Sequence, residues 1–317
     1  MSSSGADKVD WQALERLRLA FLKGTAGDRD YWDHPSTLAS YDATFAQRIG
    51  WKWDFVLAEL ARRGWQPPRT ELVDWGCGTG IATRAFLDHF GVDAVESVRL
   101  IDRSPQAQRY AAQRVASRFP GMPVHQGRGE AVASMILLSH VLTELQPAQV
   151  DALLEEIAGA SAVLWVEPGT YEASLALIAI RERLRSQFHV IAPCPHAERC
   201  GILAPGNESH WCHHFASPPP EVFMDPFWGR FAKMLEIDLR SLPVSYLVLD
   251  RNPAPALAPE LVRTLGRPRL LKAEVRLMAC TAAGVTERAF SRRTYPSVWK
   301  DARKDRIPSL WKVPDAE

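Results

Sequence analysis

From residue 71 to residue 166 the apolar positions come in short continuous runs separated by stretches of helical spacing. The runs predict strands at 71–74, 97–101, 135–138 and 162–166, and the spacing between them predicts helices at 79–90, 105–119 and 146–159. Continuous rather than alternating apolar strands, each followed by a helix, imply a parallel sheet covered on both faces. This domain is expected over residues 67–190. Upstream, Leu14, Leu17 and Phe21 fall on one helix face and tryptophans stand at positions 11, 32, 51, 53 and 65, so residues 1–66 read as a helical region. The Trp65-Gln-Pro-Pro68 break ends it.

Past residue 190 the periodicity fails. Residues 193–220 hold six prolines, three cysteines and four histidines, too little apolar spacing to fold by burial alone. Residues 223–239 are aromatic but poorly periodic. Strand-like runs resume at 244–249, 270–280 and 285–292, with Ala282-Ala-Gly284 as a turn between the last two.

The first expected strand runs into Leu72-Val-Asp74-Trp-Gly76-Cys77-Gly78-Thr-Gly80. Glycines at alternate positions between a strand and a helix allow a tight turn and leave room for a ligand against the backbone. The spacing is G-x-G-x-G with the acid before it, not the G-x-G-x-x-G of dinucleotide binders. It resembles motif I of Rossmann-like S-adenosylmethionine methyltransferases, where the turn cradles the amino acid part of the cofactor. Asp102 ends the second strand and suits a pair of ribose hydroxyls. Asp74, Gly76, Cys77, Gly78, Gly80 and Asp102 are therefore the expected cofactor residues. Arg128 or Glu130 is a candidate neighbour of the adenine, and His140 or Glu144, after the third of these strands, a candidate base. Glu167 stands at a strand end where ligands of open α/β sheets bind. The Asp/Asn-Pro-Pro-aromatic signature of amino-group methyltransferases is absent, and Pro193-Cys194 lies too far along to be a cytosine-attacking nucleophile.

Cys194, Cys200 and Cys212 fall within nineteen residues, and Cys280 follows beside the strand pair. Clustered thiols favour a soft metal, either zinc in a Cys and His set or an iron-sulfur cluster, with His196, His210, His213 and His214 keeping zinc open.

Composition narrows this picture in three ways. Hydrophobic residues at 46% and charged residues at 24% fit a globular chain, and no apolar run reaches the roughly 20 residues that cross a bilayer. The amino terminus has no apolar signal core, so the expected compartment is cytoplasmic, with no membrane partner. Net charge is +1, yet residues 261–317 carry 13 Lys and Arg against 6 Asp and Glu. Arg292, Arg293, Lys300, Arg303 and Lys304, interleaved with Tyr295 and Trp299, read on their own as either a solvated charged face or a phosphate-contacting, base-stacking surface for RNA.

Ala192-Pro-Cys194-Pro-His196, Cys200, His210-Trp-Cys212-His and Leu277-Met-Ala-Cys280-Thr-Ala-Ala-Gly284, with the tail at 295–304, closely resemble one family over residues 70–305. That family is the methyltransferase-like assembly factors of the mitochondrial small ribosomal subunit and their bacterial relatives. The resemblance implies a 4Fe-4S cluster on Cys194, Cys200, Cys212 and Cys280, a cofactor site in the Rossmann-like domain, and association with the small ribosomal subunit or its RNA. It also implies the RNA surface, of the two readings, for the basic residues of the tail. Gly201 stands where family members usually carry proline, the loop to Cys212 is longer, and Trp311 lacks the usual Trp-Gly-Asp ending. The expected fold is α/β: a Rossmann-like S-adenosylmethionine methyltransferase domain with a helical N-terminal region, a cysteine-rich metal-binding insert over 191–240 and a small basic β-rich unit over 241–317. The expected function is an S-adenosylmethionine-dependent methyltransferase acting on ribosomal RNA or another ribosomal component, or an assembly factor that keeps cofactor and cluster without turnover.

Overall fold

The computed structural model describes residues 9–25, 30–32, 34–129 and 133–314, and the chain divides into two compact units. The first takes residues 9–62, 66–167 and 216–242; the second takes 63–65, 168–215 and 243–314.

The first unit opens with three helices, α1 (Trp11–Leu22), α2 (Pro35–Ala43) and α3 (Phe45–Arg62). Asp10 caps α1 by accepting from the Ala13 amide at 2.9 Å, an orphan donor of the first turn. The helix α3 buries Trp53, Val56, Leu57 and Leu60 at helical spacing. Strands and helices then alternate: β1 (Glu71–Trp75), α4 (Ile81–Phe90), β2 (Ser97–Ile101), α5 (Pro105–Arg118), β3 (Val124–Gln126), β4 (Met135–Ser139), α6 (Pro147–Ile157) and β5 (Ala162–Pro168). The strands are parallel in the order β3-β2-β1-β4-β5. Their continuous apolar runs are buried on both faces, as a helix-covered parallel sheet requires. The order reverses between β1 and β4, which opens a crevice at their carboxyl ends, where ligands of such sheets bind.

In the second unit, α7 (Tyr171–Leu184) leads to β6 (His189–Ala192) and β7 (His214–Phe215). The chain returns to the first unit with α8 (Pro226–Met234), whose Trp228 and Phe231 pack with Leu14, Val222, Leu235 and Leu239. This aromatic helix has an apolar stripe too short to register against its own irregular flanks. The expected insert at 191–240 is therefore shared between the two units.

Both β6 and β7 pair antiparallel with β8 (Pro243–Asp250). A four-stranded antiparallel sheet follows, from β9 (Leu261–Leu270), β10 (Glu274–Thr281), β11 (Gly284–Ser291) and β12 (Leu310–Lys312), in the order β11-β10-β9-β12. The run expected as one strand at 270–280 is the end of one strand and the whole of the next, because the Leu271 amide turns back onto the Glu274 carbonyl at 2.9 Å. Helix α9 (Pro296–Arg303) seats Val298 and Ala302 against Val262, Val275, Leu277 and Phe290. Among the described residues no helix is long and apolar enough to cross a membrane.

Gly169 illustrates the tolerance of the second unit. A Cβ there would lie 2.6 Å from the Val244 amide nitrogen and 2.7 Å from the Pro243 carbonyl carbon, both backbone atoms that cannot rotate away. Gly169→Ala is expected to destabilise the protein by about 1–3 kcal/mol, read as a lower midpoint in guanidinium denaturation; an unchanged midpoint would show that the two segments separate freely.

Candidate cofactor site and cysteine cluster

The turn after β1 is held by main-chain bonds to the end of β2: the Gly76 and Cys77 amides donate to the Ile101 carbonyl at 2.7 and 3.0 Å. Gly76, Gly78 and Gly80 all adopt left-handed backbone, with φ of 72°, 51° and 73°. At Gly76 a Cβ would meet Val141 Cγ1 at 2.7 Å, and at Gly80 it would press on Ala111 Cβ of α5 at 3.0 Å. The glycine spacing therefore serves both the turn and close packing against β4's exit and α5.

Asp102 accepts from the Gly78 amide through Oδ2 and from the Ser104 amide through Oδ1, both at 2.9 Å. Burial raises its pKa above the usual carboxylate value, against the lowering effect of those two amides. Asp74 is placed differently. It is fully buried beneath the turn, where Oδ2 accepts from the Thr83 hydroxyl at 2.7 Å and the Thr83 amide at 3.3 Å, bracing α4 from inside. Burial pushes its carboxyl up to about 6.

A cavity of about 340 Å³ opens over the turn, within the range of small-molecule sites. Gly76, Cys77, Gly78, Asp102 and Arg128 line it, as do His140 and Glu144. Glu130 lies outside the described residues. Trp75 and Thr79 also line it, and the Trp75 indole N–H and the Thr79 hydroxyl are themselves buried without a hydrogen-bond partner in the protein. The cavity, the glycine cradle and the Asp102 carboxylate together fit S-adenosylmethionine.

Three further lining groups had no local signal in the sequence. Tyr31, Trp32 and Tyr41 come from the helical N-terminal region. Tyr31 donates its hydroxyl to Glu144 Oε1 at 3.0 Å, and Arg103 approaches Glu144 Oε2 at 3.5 Å and lies over the Tyr31 ring at 5.2 Å. Lys52, from α3, brings Nζ to 3.3 Å from His140 Nε2. His140 itself sits in left-handed backbone at φ 58°, a strained conformation for a non-glycine residue. The turn is held by Glu167, whose Oε1 accepts from the Val141 and Leu142 amides at 3.0 and 3.1 Å and from the Trp165 indole at 2.7 Å. Burial lowers Lys52 to about 7 and raises Glu167 to about 7, and holds His140 well below its ordinary value, with Lys52 and Arg48 adding to that. Glu167 is thus a fully buried brace under the β4 exit.

The four cysteines of the second unit converge from separate elements. Cys200, Cys212 and Cys280 share an apolar cluster with Ile178, Ile202, Leu265 and Val285. Cys194, Cys200 and Cys212 line one small cavity of about 30 Å³. Burial and then Cys194, Cys200 and Cys280 push the Cys212 thiol far above its ordinary value. Burial and then Cys194 push Cys200 to about 11; burial followed by Cys194 and Cys200 pushes Cys280 to about 12. With Cys200, Cys212 and Cys280 all pushed up, a bound cation is what would favour their thiolates. Arg181 Nε donates to Cys194 Sγ at 3.2 Å, and Arg63 donates to the Pro193 and Cys194 carbonyls at 2.6 and 3.0 Å. His196 Nε2 stands 3.5 Å from Cys280 Sγ and His214 Nε2 3.8 Å from Cys212 Sγ, whereas no contact of His210 or His213 with a thiol is seen. Gly201 follows from packing: a Cβ there would lie 2.7 Å from the Val285 amide nitrogen. As the side chains stand, no group of three or more His, Cys, Asp or Glu among the described residues is set out to hold a metal ion.

On α9 and the turn before it, Arg292, Arg293, Lys300, Arg303 and Lys304 are all exposed. Arg292 and Arg303 both lie over the Trp299 ring, at 4.3 and 4.9 Å, so this indole is committed to its own arginines rather than open for base stacking.

A parallel sheet ordered 3-2-1-4-5, with a glycine turn and an acid at its switch point, defines a Rossmann-like domain of the methyltransferase type. The family profile described as mitochondrial small ribosomal subunit Rsm22 matches residues 44–312, and the chain belongs to this family. No curated protein matches the chain. Among solved structures, a provisionally assigned RNA methyltransferase of Pyrococcus horikoshii is 11% identical, with 62% of this chain and 83% of that one covered and a TM-score of 0.39. M. capricolum TrmK bound to S-adenosylhomocysteine is 8% identical, covering 63% and 69% at a TM-score of 0.32. An S-adenosylmethionine-dependent methyltransferase of Clostridium acetobutylicum is 14% identical, covering 43% and 58% at 0.31.

The buried lysine gives a testable pH dependence. Its folded pKa of about 7 lies below its ordinary 10.5, so between these values the unfolded chain binds a proton that the folded chain refuses, and this group's contribution to stability is lost as pH falls through 7. Melting curves from pH 7 to 9 are expected to show stability rising with pH in the parent protein and a clearly flatter profile in Lys52→Met; parallel profiles would mean that Lys52 is charged and paired in the fold.

Proposed function

We propose that the protein is an S-adenosylmethionine-dependent methyltransferase-like protein that carries an iron-sulfur cluster and acts on the small ribosomal subunit or its RNA. The observation that carries this reading is the cradle of Gly76, Gly78 and Gly80 against Asp102, beneath a cavity of about 340 Å³. Bound cofactor supplies a methyl group on a sulfonium leaving group. The glycine turn would hold its amino acid part and Asp102 its ribose, while Tyr31, Trp32 and Tyr41 keep water from the reacting end. Catalysis would be mainly positioning, since holding two reactants in line replaces a bimolecular encounter.

A second reading, an assembly factor that binds cofactor without transfer, is favoured by one feature. The groups able to accept a proton at the cavity are each engaged: Asp102 by two amides, Glu144 by Tyr31 and Arg103, His140 by Lys52. Incubation with immature small subunits and tritiated S-adenosylmethionine decides between them. Label on the subunit is expected for the enzyme; co-sedimentation without label would establish the second reading, and neither would remove the ribosomal partner. The exposed Arg292, Arg293, Lys300, Arg303 and Lys304 support an RNA surface, and family membership supports the small subunit as the partner.

The convergence of Cys194, Cys200, Cys212 and Cys280 supports the cluster, with the buried Arg181 offsetting its negative charge. A brown protein with broad visible absorption is expected, bleached by Cys194→Ser; a colourless protein that releases zinc would replace iron-sulfur with a zinc site.

A further inference from the structure

The exit of β4 carries Ser139-His140-Val141-Leu142, without the aromatic residue that amino-group methyltransferases place there. Aromatic groups reach the cavity from elsewhere. Trp32 is buried and approaches the glycine turn so closely that its Cζ2 would touch a Cβ at Gly78 at 3.9 Å. Asp30 fixes its backbone by accepting from the Trp32 amide at 3.0 Å. Tyr41 meets the Trp32 ring edge-on at 5.1 Å, and Tyr31 meets it at 4.6 Å.

Resting on the S-adenosylmethionine reading, we propose that Trp32, backed by Tyr41, recognises the positive charge of the cofactor's sulfonium, so that the site prefers the charged methyl donor over its neutral demethylated product. The sulfonium is covalently placed between the amino acid part and the ribose. Their anchors would be the Gly78 turn and Asp102, joined through the Gly78 amide at 2.9 Å, so the sulfonium would fall close to Gly78, the residue that Trp32 approaches. An aromatic face attracts a cation, most strongly where water is excluded, and tryptophan does so best. The nearby carboxylates are directed elsewhere, Asp102 to the Gly78 and Ser104 amides and, in this reading, the ribose, Glu144 to Tyr31 and Arg103, and Asp30 to the Trp32 amide. Arg103 and Arg128 line the same cavity, each paired with a glutamate, and the rings are the uncharged groups there that favour a cation.

The test is calorimetric binding of S-adenosylmethionine, S-adenosylhomocysteine and the amine-bearing analogue sinefungin to the full chain and to Trp32→Leu, Trp32→Phe and Tyr41→Leu, each checked for an unchanged melting transition. Trp32→Leu is expected to weaken both charged ligands at least tenfold while S-adenosylhomocysteine changes less than threefold, with Trp32→Phe intermediate. Equal weakening of all three ligands, or none, overturns the proposal and makes Trp32 a packing residue. If Trp32→Leu fails to fold, Trp32→Phe and Tyr41→Leu carry the same comparison. A parent protein that binds none of the three overturns the cofactor reading itself, an outcome distinct from loss of charge preference.

Discussion

The bond from the Gly78 amide to the Asp102 carboxylate joins two strand ends at the point where the sheet order reverses. It goes with left-handed backbone through the turn, and α4 starts at the crevice without a side-chain cap from Gly80, its Thr83 amide taken by Asp74 from below. Much of the first unit answers to it. Asp74 braces the turn from below through Thr83, α5 approaches Gly80 at Ala111, and the β4 exit packs Val141 over Gly76. Enlarging any one of these contacts would move the floor of the cavity.

Buried charge in the first unit is handled by mutual restraint. Lys52 and Glu167 are each pushed to about 7, and His140 is held neutral beside the lysine. Desolvation disfavours every charged form, so each of these groups is pushed toward its neutral state. The second unit presents the complementary case, in which crowded thiols raise one another and guanidinium groups stand close by. Both arrangements are expensive for folding alone, which is the general signature of sites built for a ligand.

The alternation of continuous apolar runs with helical spacing located β1, β2, β4 and β5 within a residue or two, because burial on both faces of a parallel strand leaves no polar interruption; β3, a short, largely exposed strand at the end of the sheet order, carries no such run and was missed. The turn and Asp102 were legible for the same reason: positive φ and a tight approach demand glycine, and the residue type itself announces the demand. The cysteines were legible as residue types but not as neighbours. Helix α7, which supplies Arg181 to them, buries positions on two sides and so shows no clear stripe. The split of 191–240 between the units was hidden because α8 packs onto Leu14, some two hundred residues away in sequence.

What the sequence determined by itself was therefore the local chemistry: a parallel α/β domain, a glycine turn followed by an acid, four thiols and a basic end. These depend on backbone conformation and periodicity within a dozen residues. The tertiary structure alone decided that Trp32 and Tyr41 face the turn, that Lys52 stands against His140, that Asp74 is a brace beneath the cavity, and that Trp299 is held between two arginines. Each is a contact between segments distant along the chain, set by which faces must be buried together, and no local pattern encodes it.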